Sequence, residues 1–99
     1  MNLLTVMAEL YDSEINCAVS SFWDGGFTVK LGDTVNGFSA SAEFWAPAGE
    51  QDSKWLARDG WREAAEWLHS AAIEHCQDSD YAKRYTETRM IAELEGRAG

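Results

Sequence analysis

Between residues 15 and 44 the apolar side chains recur at every second position, and this alternation constrains the fold more than any other feature of the chain. Ile15, Cys17 and Val19 alternate with Asn16, Ala18 and Ser20, and Phe27, Val29 and Leu31 alternate with Thr28 and Lys30. A third run alternates Phe38, Ala40, Ala42 and Phe44 with Ser39, Ser41 and Glu43. Successive side chains on a strand point to opposite faces, so each run has one apolar and one small, polar face. The joints are Asp24-Gly25-Gly26 and Asn36-Gly37, where glycine accepts the positive φ that tight hairpins need. The pattern predicts a three-stranded antiparallel meander from about Glu14 to Trp45, with one face in need of cover.

The period is helical on either side of that meander. Asn2 is placed to cap a helix carrying Leu3, Leu4, Met7, Leu10 and Tyr11. From Gly60, the residues Trp61, Ala64, Ala65, Leu68, Ala72 and Cys76 lie on one helical face, and Trp67, Ala71 and Ile73 widen it. Only Glu63, Glu66, Ser70 and Glu74 form a continuous polar stripe. A helix this apolar needs more cover than one sheet provides, from the first helix, the C-terminal segment or a second copy of the chain, which makes a homodimer one expectation. Asp78 is placed to cap a last helix with Tyr81 and Tyr85 four apart, and Met90, Ile91 and Leu94 continue the spacing. Residues 46–58, around Pro47 and Gly49, read as the longest irregular stretch, in which Trp55-Leu56 docks on the core or starts a helical turn. The expected architecture is α+β, in the order α-β-β-β-α, as a single domain over 1–85 with a C-terminal helical extension over 86–99. Helices cover one sheet face. The expected core is Phe27, Val29, Leu31, Phe38, Ala40, Phe44, Trp61, Ala65, Leu68 and Ala72.

Charge narrows the function classes. The net charge is −9, and residues 1–53 hold eight acids against Lys30 alone, a net of −7. Such a half repels phosphate, so direct nucleic-acid binding is not expected, and a basic protein surface would be attracted instead. No apolar run approaches the roughly 20 residues needed to cross a bilayer. The start lacks a basic region before its apolar residues, so the expected location is the cytoplasm of a bacterial cell, where Cys17 and Cys76 would be free thiols.

Signatures of catalysis are sparse. His69 and His75 are six apart on one helix, about 120° from a shared direction, which makes a poor metal pair. Asp24-Gly25-Gly26-Phe27 precedes a strand, not the helix that an anion site requires. A Cys17–His75 pair inside the core would be the starting point for a small hydrolase or transferase, but nothing in the sequence builds a pocket around it. The chain is therefore expected to be no enzyme and to need no cofactor or metal. The five tryptophans fit either a thin core closed by bulky side chains or an aromatic interface rimmed by acids. The residues expected to meet a partner are Trp23, Asp24, Asp33, Glu43, Trp45, Asp52 and Trp55.

The element order resembles the double-stranded-RNA-binding fold. That family grips phosphates with a lysine-rich start to its second helix. The matching stretch here, Gly60-Trp61-Arg62-Glu63-Ala64-Ala65-Glu66, has one base and two acids, so the resemblance extends to topology and not to activity. Phe22-Trp23-Asp24-Gly25-Gly26-Phe27, Lys30-Leu31-Gly32-Asp33, Asn36-Gly37-Phe38 and Asp78-Ser79-Asp80-Tyr81-Ala82-Lys83-Arg84-Tyr85 resemble pieces of short reading frames of proteobacteria and their phages. Small acidic phage proteins of this kind include anti-CRISPR inhibitors. That resemblance implies a protein that covers the basic nucleic-acid channel of a bacterial defence complex, such as a CRISPR effector subunit. The alternative is an adaptor or regulatory module for a protein unconnected with nucleic-acid machinery.

Overall fold

A computed structural model of the chain describes residues 1–22 and 25–86. Its elements run α1 (Leu3–Asp12), β1 (Cys17–Phe22), β2 (Gly26–Asp33), β3 (Phe38–Trp45), α2 (Asp52–Trp55), a π turn (Leu56–Gly60) and α3 (Trp61–His75). Residues 80–86 are again helical. The three strands form one antiparallel sheet in the order β1-β2-β3, so the α+β meander is the observed architecture. Helix α1 begins where Asn2 Oδ1 accepts from the backbone N–H groups of Leu4 (2.9 Å) and Thr5 (3.3 Å), two donors that a helix start leaves without partners. The chain reverses at Glu14, which takes a left-handed φ of 64°. Asn36 secures that reversal: its Nδ2 donates to the Glu14 carbonyl and its Oδ1 accepts from the Asn16 N–H, both at 2.9 Å.

The register puts Phe27, Val29 and Leu31 of the central strand on one face, with Val19 and Ala42 beside Val29 and with Cys17 and Ala40 beside Leu31. Phe27, Val29 and Leu31 are buried together with Leu3, Val6 and Leu10 of α1 and Ala64, Ala65, Leu68 and Ala72 of α3. Phe38, Ala40 and Phe44, which the alternation assigns to the core, are only half-buried. Their strand is an edge, and the helices lie over the centre of the sheet. Trp61 departs further. One side of its ring packs on Phe27, with centroids 4.9 Å apart, while 39% of the residue stays exposed at the end of α3.

The stretch expected to be irregular up to residue 58 is helical from Asp52 onward. Trp55 and Ala64 are nine positions apart and fall on opposite sides of an unbroken α-helix, which hides the continuity from a search at period 3.6. The π turn accommodates the mismatch. The Trp61 N–H donates to the Leu56 carbonyl five residues back, which widens one turn and readjusts the face. A Cβ on Gly60 would lie 3.1 Å from the Trp55 ring. Hydrogen at that position leaves room for the indole, which reaches Phe27 at 6.0 Å and is only 2% exposed.

The wide apolar arc of α3 is closed within the chain. Tyr81 and Ala82, in the helical stretch 80–86, are buried, Ala71 is buried, and Trp67 is half-buried with its ring edge-on to Phe44. His69 Nδ1 and the Tyr81 hydroxyl are 2.7 Å apart, and the Tyr85 hydroxyl donates to Glu9 of α1, so α1, α3 and the final helical stretch are tied together. This cover removes the motive for pairing two copies through Trp67, Ala71 and Ile73. The expected extension lies almost wholly in residues 87–99, outside the described residues.

Candidate functional site

The helices cover one face of the sheet and leave the other to solvent. Rows of small or polar side chains cross the open face: Ala18, Lys30 and Ser41, then Ser20, Thr28 and Glu43. The next row, at the β1–β2 turn, is Phe22, Gly26 and Trp45. A glycine in a central strand usually weakens it, but here it makes room for an indole. A Cβ on Gly26 would lie 2.7 Å from the Trp45 ring, so the ring rests flat on the strand. Phe22 stacks against it with centroids 5.7 Å apart and planes within 6°. The pair is a preformed aromatic platform, with Trp45 49% exposed and Phe22 exposed beside it.

Acids surround this platform. Glu43 Oε2 accepts from Trp45 Nε1 at 3.4 Å, a long bond that leaves the carboxylate accessible. Asp52, in the first turn of the long helix, lies against the same turn: a Cβ on Gly25 would meet its carboxylate at 2.7–2.8 Å. Negative charge at that position also suits the positive end of the helix. Gly25 makes this approach feasible with a φ of 102° and no side chain. Glu43, Trp45 and Asp52 therefore converge at one end of the sheet. Trp23 and Asp24 lie outside the described residues.

Two members of the expected set stand elsewhere. Trp55 is buried beneath the sheet and packs on Phe27, so it supports the platform's strand from the far side and offers no exposed ring surface. Asp33 sits at the opposite end of the meander, about 23 Å from Gly26 along a strand that rises about 3.3 Å per residue. Its Oδ1 accepts from the Val35 and Asn36 N–H groups at 2.9 and 3.1 Å, and its Oδ2 accepts from Asn16 Nδ2 at 2.8 Å. It is the clamp of the β2–β3 turn. Phe22 was absent from the expected set, although it carries forward the even-numbered, outward phase of β1.

Nothing in the described residues gathers a reactive centre. Burial raises the pKa of both the Cys17 and the Cys76 thiols, which favours the protonated, unreactive form. The ring of His75 stacks on Phe38 at 6.1 Å. His69 is held below its usual pKa by burial, against an opposing pull from Glu9, and Tyr81 is raised mainly by burial. Their rings interlock with Tyr85 at 4.7–5.6 Å, a packing arrangement between helices. Among the described residues no group of three His, Cys, Asp or Glu side chains is placed to hold a metal ion, and no helix is long and apolar enough to cross a membrane. No family model, curated protein or solved structure matches the chain.

Proposed function

We propose that this chain is a non-catalytic binding protein that docks onto a basic protein surface through the platform at the β1–β2 end of its sheet. The observation that carries the reading is the Phe22–Trp45 stack resting on Gly26 with Glu43 and Asp52 beside it. Exposed aromatic rings that are already ordered lose little entropy on binding and supply most of an interface's hold. Carboxylates at the rim set the sign of the partner and speed encounter. A basic nucleic-acid channel of a bacterial defence complex, the target of an anti-CRISPR inhibitor, has this chemistry. The alternative is an adaptor bound by the same rings to a host protein outside nucleic-acid machinery.

The test is quantitative capture from nuclease-treated bacterial lysate with three baits: the wild-type chain, the double variant Glu43→Lys/Asp52→Lys, and Trp45→Ala. The expected result is one basic protein whose recovery falls with either variant and with rising salt. Equal recovery with all three baits would refute the reading. Asp33 is left out of the reversal because its carboxylate holds a turn.

A further inference from the structure

We infer that β1 is the seat of a two-fold dimer, in which the first strands of two copies pair antiparallel and join their sheets into one. The sheet order leaves β1 at an edge. Edge strands are ordinarily protected by charge, proline or a bulge. Cys17-Ala18-Val19-Ser20-Ser21-Phe22 has no charged residue and no proline, and it pairs with β2 in unbroken register over all six residues. The Asn16 carbonyl accepts from the Gly32 N–H at 2.6 Å and the Phe22 carbonyl from the Gly25 N–H at 3.3 Å, so even-numbered residues turn their backbone toward β2. In an antiparallel ladder the odd-numbered residues then present theirs to the open edge. Cys17, Val19 and Ser21 thus offer a donor and an acceptor each, and the set is self-complementary about Val19. Cys17 faces Ser21 of the second copy, Val19 faces Val19, and Ser21 faces Cys17. The aliphatic row Val29–Val19 would continue across the axis into its own image.

The flank of α1 beside this edge has the same symmetry. Leu4 lines an open groove of about 760 Å³ together with Val19, Met7 and Trp61. Leu4 is 75% exposed, and Tyr11, two turns on along the same helical face, is 79% exposed, with the small Ala8 between them. Antiparallel strands carry their helices antiparallel, so Leu4 of one copy would approach Tyr11 of the other across Ala8.

Charge favours a second copy over a basic partner at this edge, because the edge strand has no acid to attract one. A chain of net charge −9 repels itself over most of its surface. This face is the exception. Its strand is uncharged, and Arg58 and Arg62, which line the groove at the Met1 end of α1, are ion-paired within the chain to Glu50 and Asp59 at 2.6–3.1 Å. The net charge of this face is thus confined to exposed Asp12 and Glu14 at the other end. A two-fold axis through Val19 therefore lets two copies meet where like charge is sparse. The platform of Phe22 and Trp45, on the opposite face of the sheet, stays open, so the dimer would display two platforms. This inference does not rest on the function proposed for them.

Mass by sedimentation equilibrium, and amide exchange by NMR, are measured from micromolar to near-millimolar chain. The mass should double with concentration while the Cys17, Val19 and Ser21 amides slow. Added salt should tighten the dimer by screening the repulsion between copies, whereas it should weaken binding to a basic partner. Ser21→Pro removes an edge donor at a position where an edge strand tolerates proline, and Leu4→Lys changes an exposed side chain. Each should weaken the dimer by at least about tenfold without lowering the monomer's unfolding midpoint. A monomer at every concentration, or a dimer indifferent to both variants, would overturn the inference.

Discussion

Replacing Trp55 by alanine separates a buried support from a binding residue. The indole is 2% exposed and lies between Phe27 and Gly60. A buried aromatic side chain removes about 150–250 Å² from water, and at about 25 cal/mol/Å² its truncation forfeits roughly 4–6 kcal/mol, an upper estimate. Measured truncations of buried aromatic residues run at about 3–5 kcal/mol, so about 4 kcal/mol is expected. A chain of this length has about 5–15 kcal/mol of stability in all, so the variant loses a quarter of it or more. The assay is urea unfolding followed by far-ultraviolet circular dichroism, because tryptophan fluorescence changes with the substitution itself. With a slope of about 1–3 kcal/mol per molar urea, the midpoint should fall by roughly 1.3–4 M. Trp45→Ala is the control. Its ring is half exposed, and its loss should cost under about 2 kcal/mol. A Trp55→Ala protein within about 1 kcal/mol of wild type, alongside a more damaged Trp45→Ala, would refute the assignment of the two rings to core and surface.

Asp33→Ala should destabilise the chain by about 1–3 kcal/mol, because two backbone donors and Asn16 lose a charged acceptor, and should leave capture of a basic partner unchanged; urea unfolding and the capture assay check the two halves. Stability should also fall at both ends of the pH scale. His69 is depressed by burial, so the unfolded chain takes up a proton near pH 6.5 before the folded chain does, and stability present above that pH is lost progressively below it. Tyr81 and Tyr85 are raised, so their contribution is complete below about pH 10 and is lost as pH climbs past it. Urea midpoints between pH 4 and 11 should form a plateau, and His69→Gln should flatten its acid limb.

The meander was legible because its causes are local. Alternation at every second residue names the face of each side chain, and glycines at the joints name the turns, so the sheet, its apolar face and the span of α1 follow from neighbours in sequence. Leu68, Ala65 and Ala72 were identified by the same reasoning at the helical period. The long helix could not be followed upstream of Gly60. A π turn adds a residue to one turn, and a fixed period loses phase there. What placed Trp55 inside was its fit between Phe27 and Gly60, two residues far apart in sequence. Proximity in the chain also misleads about the site. Asp33 reads as a companion of the first turn, yet in an antiparallel meander successive turns must lie at opposite ends of the strands, and its carboxylate is consumed by its own turn. Asp52 is the converse case. It is distant from the first turn in sequence but reaches it because Gly25 lacks a side chain, and Trp45 lies flat because Gly26 lacks one. Sequence alone decides which residues alternate, cap and turn. Which rings stay exposed depends on which face of the sheet the helices cover and on where a glycine leaves room for a ring, and that is set by contacts only the folded chain makes.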